Sequence, residues 1–133
     1  MMHSHDYLRD LFERLLAAMA ADAMREIGAL WTELDHGLVA HMIAEERHVL
    51  PAFAKVDRAE ALALLREHGK IRELLLELGV AIDLHCLRYE RANELVALLL
   101  DHAGREDQLL YRWADQALPA EAIEAVKREV AAG

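Results

Sequence analysis

Apolar residues recur at steps of three and four along four successive stretches of the chain, a rhythm that permits little besides amphipathic helices. The first stretch covers roughly residues 4–21, with the stripe His5, Leu8, Phe12, Leu15 and Met19. Ser4 reads as its N-cap, and Asp6 suits the electrostatics of a first turn. The second stretch, roughly 22–50, carries Ile27, Leu30, Leu34, Leu38, His41, Glu45 and Val49, and Pro51 marks a break after it. Residues 52–58 read as a connection. The third stretch runs from about 59 into the low eighties, with Ala61, Leu64, His68, Ile71, Leu75, Leu78 and Ile82. The fourth covers about 89–118, with Ala92, Leu95, Leu99, His102, Glu106, Leu109 and Trp113. The boundary between these two is the least marked, because Leu84-His85-Cys86-Leu87 holds neither Gly nor Pro. Beyond Leu118-Pro119, a tail helix at about 119–131 sets Ile123, Val126 and Val130 on one side.

Long amphipathic helices with short connections predict an all-α, up-down-up-down four-helix bundle with a short C-terminal helix. One domain over 1–133 is expected, its bundle at about 4–118. Only 6 Gly and 2 Pro occur in 133 residues, too few for the turns of a β-sandwich or barrel. Lys and Arg number 15 against 24 Asp and Glu, for a net charge of -9. That sign disfavours a nucleic-acid groove or an anionic membrane surface, so neither is an expected partner. No apolar run reaches membrane-spanning length, and the first residues lack the basic-then-apolar pattern of a signal peptide. A single cysteine, Cys86, allows no internal disulfide and suits a reducing compartment; a cytoplasmic protein is expected.

Five stripe positions hold residues that do not belong in an apolar stripe: His41, Glu45, His68, His102 and Glu106. Burying an uncompensated imidazole or carboxylate costs several kcal/mol. The spacing His-x-x-x-Glu occurs twice, at His41/Glu45 and His102/Glu106, and each pair shares a helix face one turn apart. The expected turns fall about midway between His5 and His41, His41 and His68, and His68 and His102. In an antiparallel bundle such residues lie at one height. All four helices then deliver a histidine to one layer, and two of them add a carboxylate. A satisfied hydrogen-bond network without metal would leave that repetition and common height unexplained. Nitrogen and oxygen donors in a dry core suit a transition metal, and six are too many for one tetrahedral zinc. If each carboxylate bridges two metals, two five- or six-coordinate irons keep positions open for an exogenous ligand, with manganese the second choice.

These residues resemble the hemerythrin-like (HHE cation-binding) family. The resemblance rests on His5-Asp6-x-Leu8, His41-x-x-x-Glu45-Glu46 followed by Pro51, Glu67-His68-x-x-Ile71-Arg72, and His102-x-x-x-Glu106. It implies a left-handed four-helix bundle around an oxo- or hydroxo-bridged pair of non-haem irons. It further implies His5, His41, His68 and His102 as terminal ligands and Glu45 and Glu106 as bridges. The ferritin-like arrangement orders its motif Glu-x-x-His, which this chain lacks at these positions. Two departures from the oxygen-carrying hemerythrins stand out. Position 72 is Arg72 where those proteins have a second histidine, and Glu106 follows His102 by four residues where they have an Asp at five. These weigh against reversible oxygen transport. The resulting expectation is a protein that binds oxygen, nitric oxide or a peroxide in a sensing, storage or detoxifying role. The alternatives are a di-iron oxidoreductase, reducing peroxide or nitric oxide or oxidising ferrous iron, and an iron-dependent interaction module. A homodimer through the C-terminal helix belongs to the last reading.

The remaining candidates have plainer readings. His3 is expected in solvent and is the fallback for His5; His48 reads as a rim histidine, and His36 as exposed or at a helix interface. Cys86 reads as a small packed residue near a turn, with His85 beside it. Glu46 and Arg72 read as solvated, the alternatives being a partner for a ligating imidazole and a buried counter-charge. Asp101 and Asp107 share the ambiguity of Glu46, and Trp31 and Trp113 read as core. Leucine layers beside the metal layer, Leu38, Leu64 and Leu99 on one side and Leu34, Leu75 and Leu95 on the other, are expected to exclude water.

Overall fold

In a computed structural model, the backbone of residues 2–132 and the side chains of residues 6–129 are described. The elements are α1 (Met2–Ala20), α2 (Met24–His48), α3 (Leu50–Phe53), α4 (Arg58–Asp83) and α5 (Tyr89–Arg105). A π turn (Glu106–Leu110), α6 (Tyr111–Ala117) and α7 (Ala120–Ala132) follow. No strand occurs among the described residues, as the all-α bundle predicts. In cross-section α1 lies against α2 and α5, and α4 lies against the same two; α7 packs along α2.

The helix ends explain themselves locally. Helix α1 already includes Ser4, which therefore is not the N-cap that the sequence suggests. At the α1–α2 and α4–α5 corners, Asp22 and His85 adopt left-handed φ values of 54° and 55°. At each corner the following amide reaches back five residues, Ala23 N–H to Ala18 O and Cys86 N–H to Ala81 O. The left-handed residue reaches back three, Asp22 N–H to Met19 O and His85 N–H to Ile82 O. Both corners are thus Schellman closures built without glycine. That is how the chain turns at Leu84–Leu87 with no Gly or Pro signal. A break falls just before Pro51, as expected: α2 ends at His48, and Pro51 sits in the first turn of α3, where its missing N–H costs nothing. Asp57 caps α4 through the Glu60 amide at 3.1 Å.

Two apolar clusters fill the bundle. One contains Leu8, Leu11, Phe12, Leu34, Leu38, Met42, Ile71, Leu75, Leu95 and Leu99. The other contains Ala44, Val49, Leu50, Phe53, Ala61, Leu64, Leu110, Tyr111, Ala114 and Val126. The polar stripe residues sit where the helices pass from one cluster to the other. Leu64 is therefore not in a layer with Leu38 and Leu99. Helix α4 runs antiparallel to α2, so residues before His68 are level with residues after His41, and Ile71 takes the place beside Leu38. Leu34, Leu75 and Leu95 belong to the same side as Leu38 and Leu99.

The end of the fourth stretch departs from α-helical expectation. Leu109 is 48% exposed and Trp113 is half-buried, whereas Leu110, Tyr111 and Ala114 are buried. The π turn adds one residue to the helical circuit, which rotates everything after Glu106 by about one position. Val126 of α7 is buried against the chain's own second cluster, and His48 ties α7 down through Glu129 at 2.6 Å. Cys86 is exposed at its corner rather than packed, and His36 is exposed. Among the described residues, no helix is long and apolar enough to cross a membrane.

Candidate metal centre

His41 and Glu45 lie one turn apart on α2; His68 comes from α4, and His102 and Glu106 from the junction of α5 with the π turn. All five are buried, Glu45, His68 and Glu106 completely. Ligand atoms of Glu45, His68, His102 and Glu106 all fall within 4.8 Å of one another, a group that could hold a metal ion. Nε2 of His102 is 3.2 Å from Oε2 of Glu106, and Nε2 of His68 is 3.7 Å from the same oxygen. Oε1 of Glu45 lies 3.4 Å from Nε2 of His68 and 3.4 Å from Nε2 of His41. The His68 and His102 rings meet edge to face at 4.9 Å. The side chain of His5 lies outside the described residues, as does that of His3.

The outward nitrogens of two imidazoles are held by carboxylates from neighbouring helices. Nδ1 of His68 donates to Oε2 of Glu46 at 2.7 Å, and Glu46 is clamped by both terminal nitrogens of Arg72 at 2.8 Å. Nδ1 of His102 donates to Oε1 of Glu67 at 2.6 Å, and Arg105 holds Glu67 at 2.6 Å while also pairing with Glu60. Glu46 and Arg72 are thus not free in solvent: they form a strut behind His68. Donation from Nδ1 fixes the tautomer and turns the Nε2 lone pair inward, the usual support of a metal-ligating histidine. The Glu67–Arg105–Glu60 strut has no counterpart in the sequence reading. Its only signal there is Glu67 standing next to His68, as Glu46 stands next to Glu45.

Tyr111 is the residue that sequence reasoning missed. Its hydroxyl donates to Oε2 of Glu45 at 2.8 Å, lies 2.7 Å from Nε2 of His41 and is 3.3 Å from Oε1 of Glu106. In an unbroken α-helix the residue five beyond Glu106 would point some 140° away. The π turn brings it back onto the same face.

Electrostatics mark the layer as built for positive charge. Burial, then the charge of Glu106, pushes the Glu45 carboxyl well above its ordinary range. Burial would pull His68 down, but the carboxylates of Glu106, Glu45 and Glu46 around it outweigh that and push the imidazole up to about 10. Without a cation the layer therefore collects protons. A bound cation would displace those protons and could take the same oxygens and nitrogens as ligands. Oε1 of Glu45 and Nε2 of His68 and of His102 are buried with no hydrogen-bond partner, which is what ligand atoms look like before their cation arrives.

Beside the layer is a cavity of about 40 Å³. His41, His102 and Glu106 form its polar wall, and Leu8, Phe12, Leu38, Met42, Ile71 and Leu99 its apolar one. Arg9, Leu100 and Ala103, from α1 and α5, complete the lining.

Comparison with known proteins adds one result. The family model described as "Hemerythrin HHE cation binding domain" matches residues 1–129. No curated protein and no solved structure matches the chain significantly.

Proposed function

The chain belongs to the hemerythrin HHE cation-binding family, and from that premise we propose a non-haem di-iron protein whose open position takes dioxygen, nitric oxide or a peroxide in a sensing, storage or detoxifying role. The observation that carries the reading is how the two buried carboxylates divide their oxygens. Oε1 of Glu45 and Oε2 of Glu106 approach the imidazole nitrogens of His68 and His102. Oε2 of Glu45 and Oε1 of Glu106 approach the Tyr111 hydroxyl instead, while Nε2 of His41 lies 2.7 Å from that hydroxyl and 3.4 Å from Oε1 of Glu45. A carboxylate whose two oxygens meet different partners could bridge two cations if both were bound. His41, His68 and His102 are the terminal donors in this reading, and His5, at the start of α1, is proposed as the fourth. The nitrogen and oxygen donor set without thiolate suits iron first and manganese second.

Bound iron would supply redox chemistry and a Lewis-acidic open position for a small ligand. The chain's part is to hold and to exclude. Glu46 and Glu67 keep the imidazoles aimed inward. The apolar wall of the 40 Å³ cavity keeps bulk water away while leaving room for a two-atom ligand. A space of this size accommodates a diatomic or a peroxide.

The test is to load the protein anaerobically with ferrous iron, measure iron per chain, and follow the optical spectrum on adding oxygen, nitric oxide or hydrogen peroxide. Two irons per chain and a ligand-dependent spectral change support the reading. Iron well below one per chain, or a spectrum indifferent to all three, refutes it. Repeated cycling with excess peroxide or nitric oxide separates an oxidoreductase from a binding protein.

A further inference from the structure

The geometry points to Tyr111 as a metal ligand, a phenolate donor to the cation on the His41 side of the layer. This rests on the two-cation reading above and deepens it. The Tyr111 oxygen stands 2.7 Å from Nε2 of His41, 2.8 Å from Oε2 of Glu45 and 3.3 Å from Oε1 of Glu106. Donors bound side by side to one octahedral cation at about 2.1 Å lie about 3 Å apart. The phenol oxygen therefore stands from each of these three atoms at the spacing of neighbours on a single ion. The carboxylate oxygens that approach the phenol, Oε2 of Glu45 and Oε1 of Glu106, are not the ones that approach His68 and His102.

A second observation is independent of those distances. Tyr111 reaches the layer only because the helix leaves α geometry over Glu106–Leu110. Such turns are rare and concentrate at functional sites. If the phenol served only to fill the core, Phe at this position and an uninterrupted helix would do as well. The phenol is 2% exposed, so solvent does not compete for its oxygen. Coordination releases the phenol proton and gives the cation a negatively charged oxygen donor.

The experiment uses the 133-residue chain loaded with ferric iron and reads resonance Raman spectra excited in the visible, together with iron content. Wild-type protein is expected to show the ring modes of a metal-bound phenolate. The chain has three tyrosines, and Tyr7 and Tyr89 are about half exposed. A Tyr7→Phe/Tyr89→Phe double variant is expected to keep the phenolate modes, and Tyr111→Phe to lose them while retaining iron. If Tyr111→Phe does not fold, the double variant decides alone, since Tyr111 is then the one phenol left. Two irons without phenolate modes in the wild type overturn the ligand assignment and leave the two-cation reading standing. Failure of the wild type to hold two irons overturns both.

Discussion

The histidines of this layer differ from ordinary buried histidines in what stands behind them. His68 leans on Glu46 and Arg72, and His102 on Glu67 and Arg105, so each ring is fixed before any cation arrives. Removing such a support typically costs about 10- to 100-fold in metal affinity. Glu46→Gln and Glu67→Gln are each expected to lose that much, measured by competition against a chelator, with helix content unchanged. A loss no greater than that of a distant surface substitution would argue that the struts only decorate the site. The metal-free protein also has a defined pH response. The folded state raises His68 from 6.5 to about 10 and raises Glu45 above 4.5, so it binds more protons than the unfolded chain. The stability that these two groups contribute is full below those unfolded values and is lost as pH rises toward 10. Chelated protein is expected to melt at progressively lower temperature between pH 6.5 and 10, and metal uptake to release protons and weaken on acidification. His41, Glu45, His68, His102 and Glu106 were legible in the sequence because polar residues at leucine positions break a periodic rule. Tyr111 was not, since an aromatic residue in a helix raises no objection. Glu67 and Arg105 look like any solvated helix face.

At the scale of elements, the four stripes told where the long helices run, but not how they end. His85 closes α4 in a left-handed conformation that costs a residue with a Cβ about 1 kcal/mol or more, whereas glycine adopts it freely. His85→Gly is therefore expected to raise unfolding free energy by up to about 1 kcal/mol in denaturant titration. Destabilisation would mean that the His85 side chain has a role at the corner. The π turn is the element that the stripe rule misread, because a single extra residue leaves no mark in composition while shifting the buried set from Leu109 and Trp113 to Leu110, Tyr111 and Ala114. The direction of α4 explains the other error: reading layers by sequence distance alone put Leu64 on the wrong side of the metal layer. Helix α7 was legible as amphipathic, and its described core residue, Val126, is covered by the chain itself. Val126→Ala removes two buried methyl groups and is expected to cost roughly 1–2 kcal/mol. Equal stability of variant and wild type would mean that α7 is not docked as described.

For the whole molecule, the layer divides one apolar core into two and places five polar side chains where leucines would stabilise more. On the proposed reading, a bundle built this way depends on its cation. Ligation at 100 times the dissociation constant adds about 2.7 kcal/mol, so stripping the metal is expected to lower the melting temperature on the order of 10 °C. A melting temperature indifferent to chelation would show that the polar layer satisfies itself. The most direct measurement is anomalous diffraction at the iron edge from crystals of the loaded protein. Two iron peaks per chain are predicted inside the ring of His41, Glu45, His68, His102 and Glu106, with the two oxygens of each glutamate divided between them. A single peak, or iron bound only to surface carboxylates with the layer left protonated, would contradict the account.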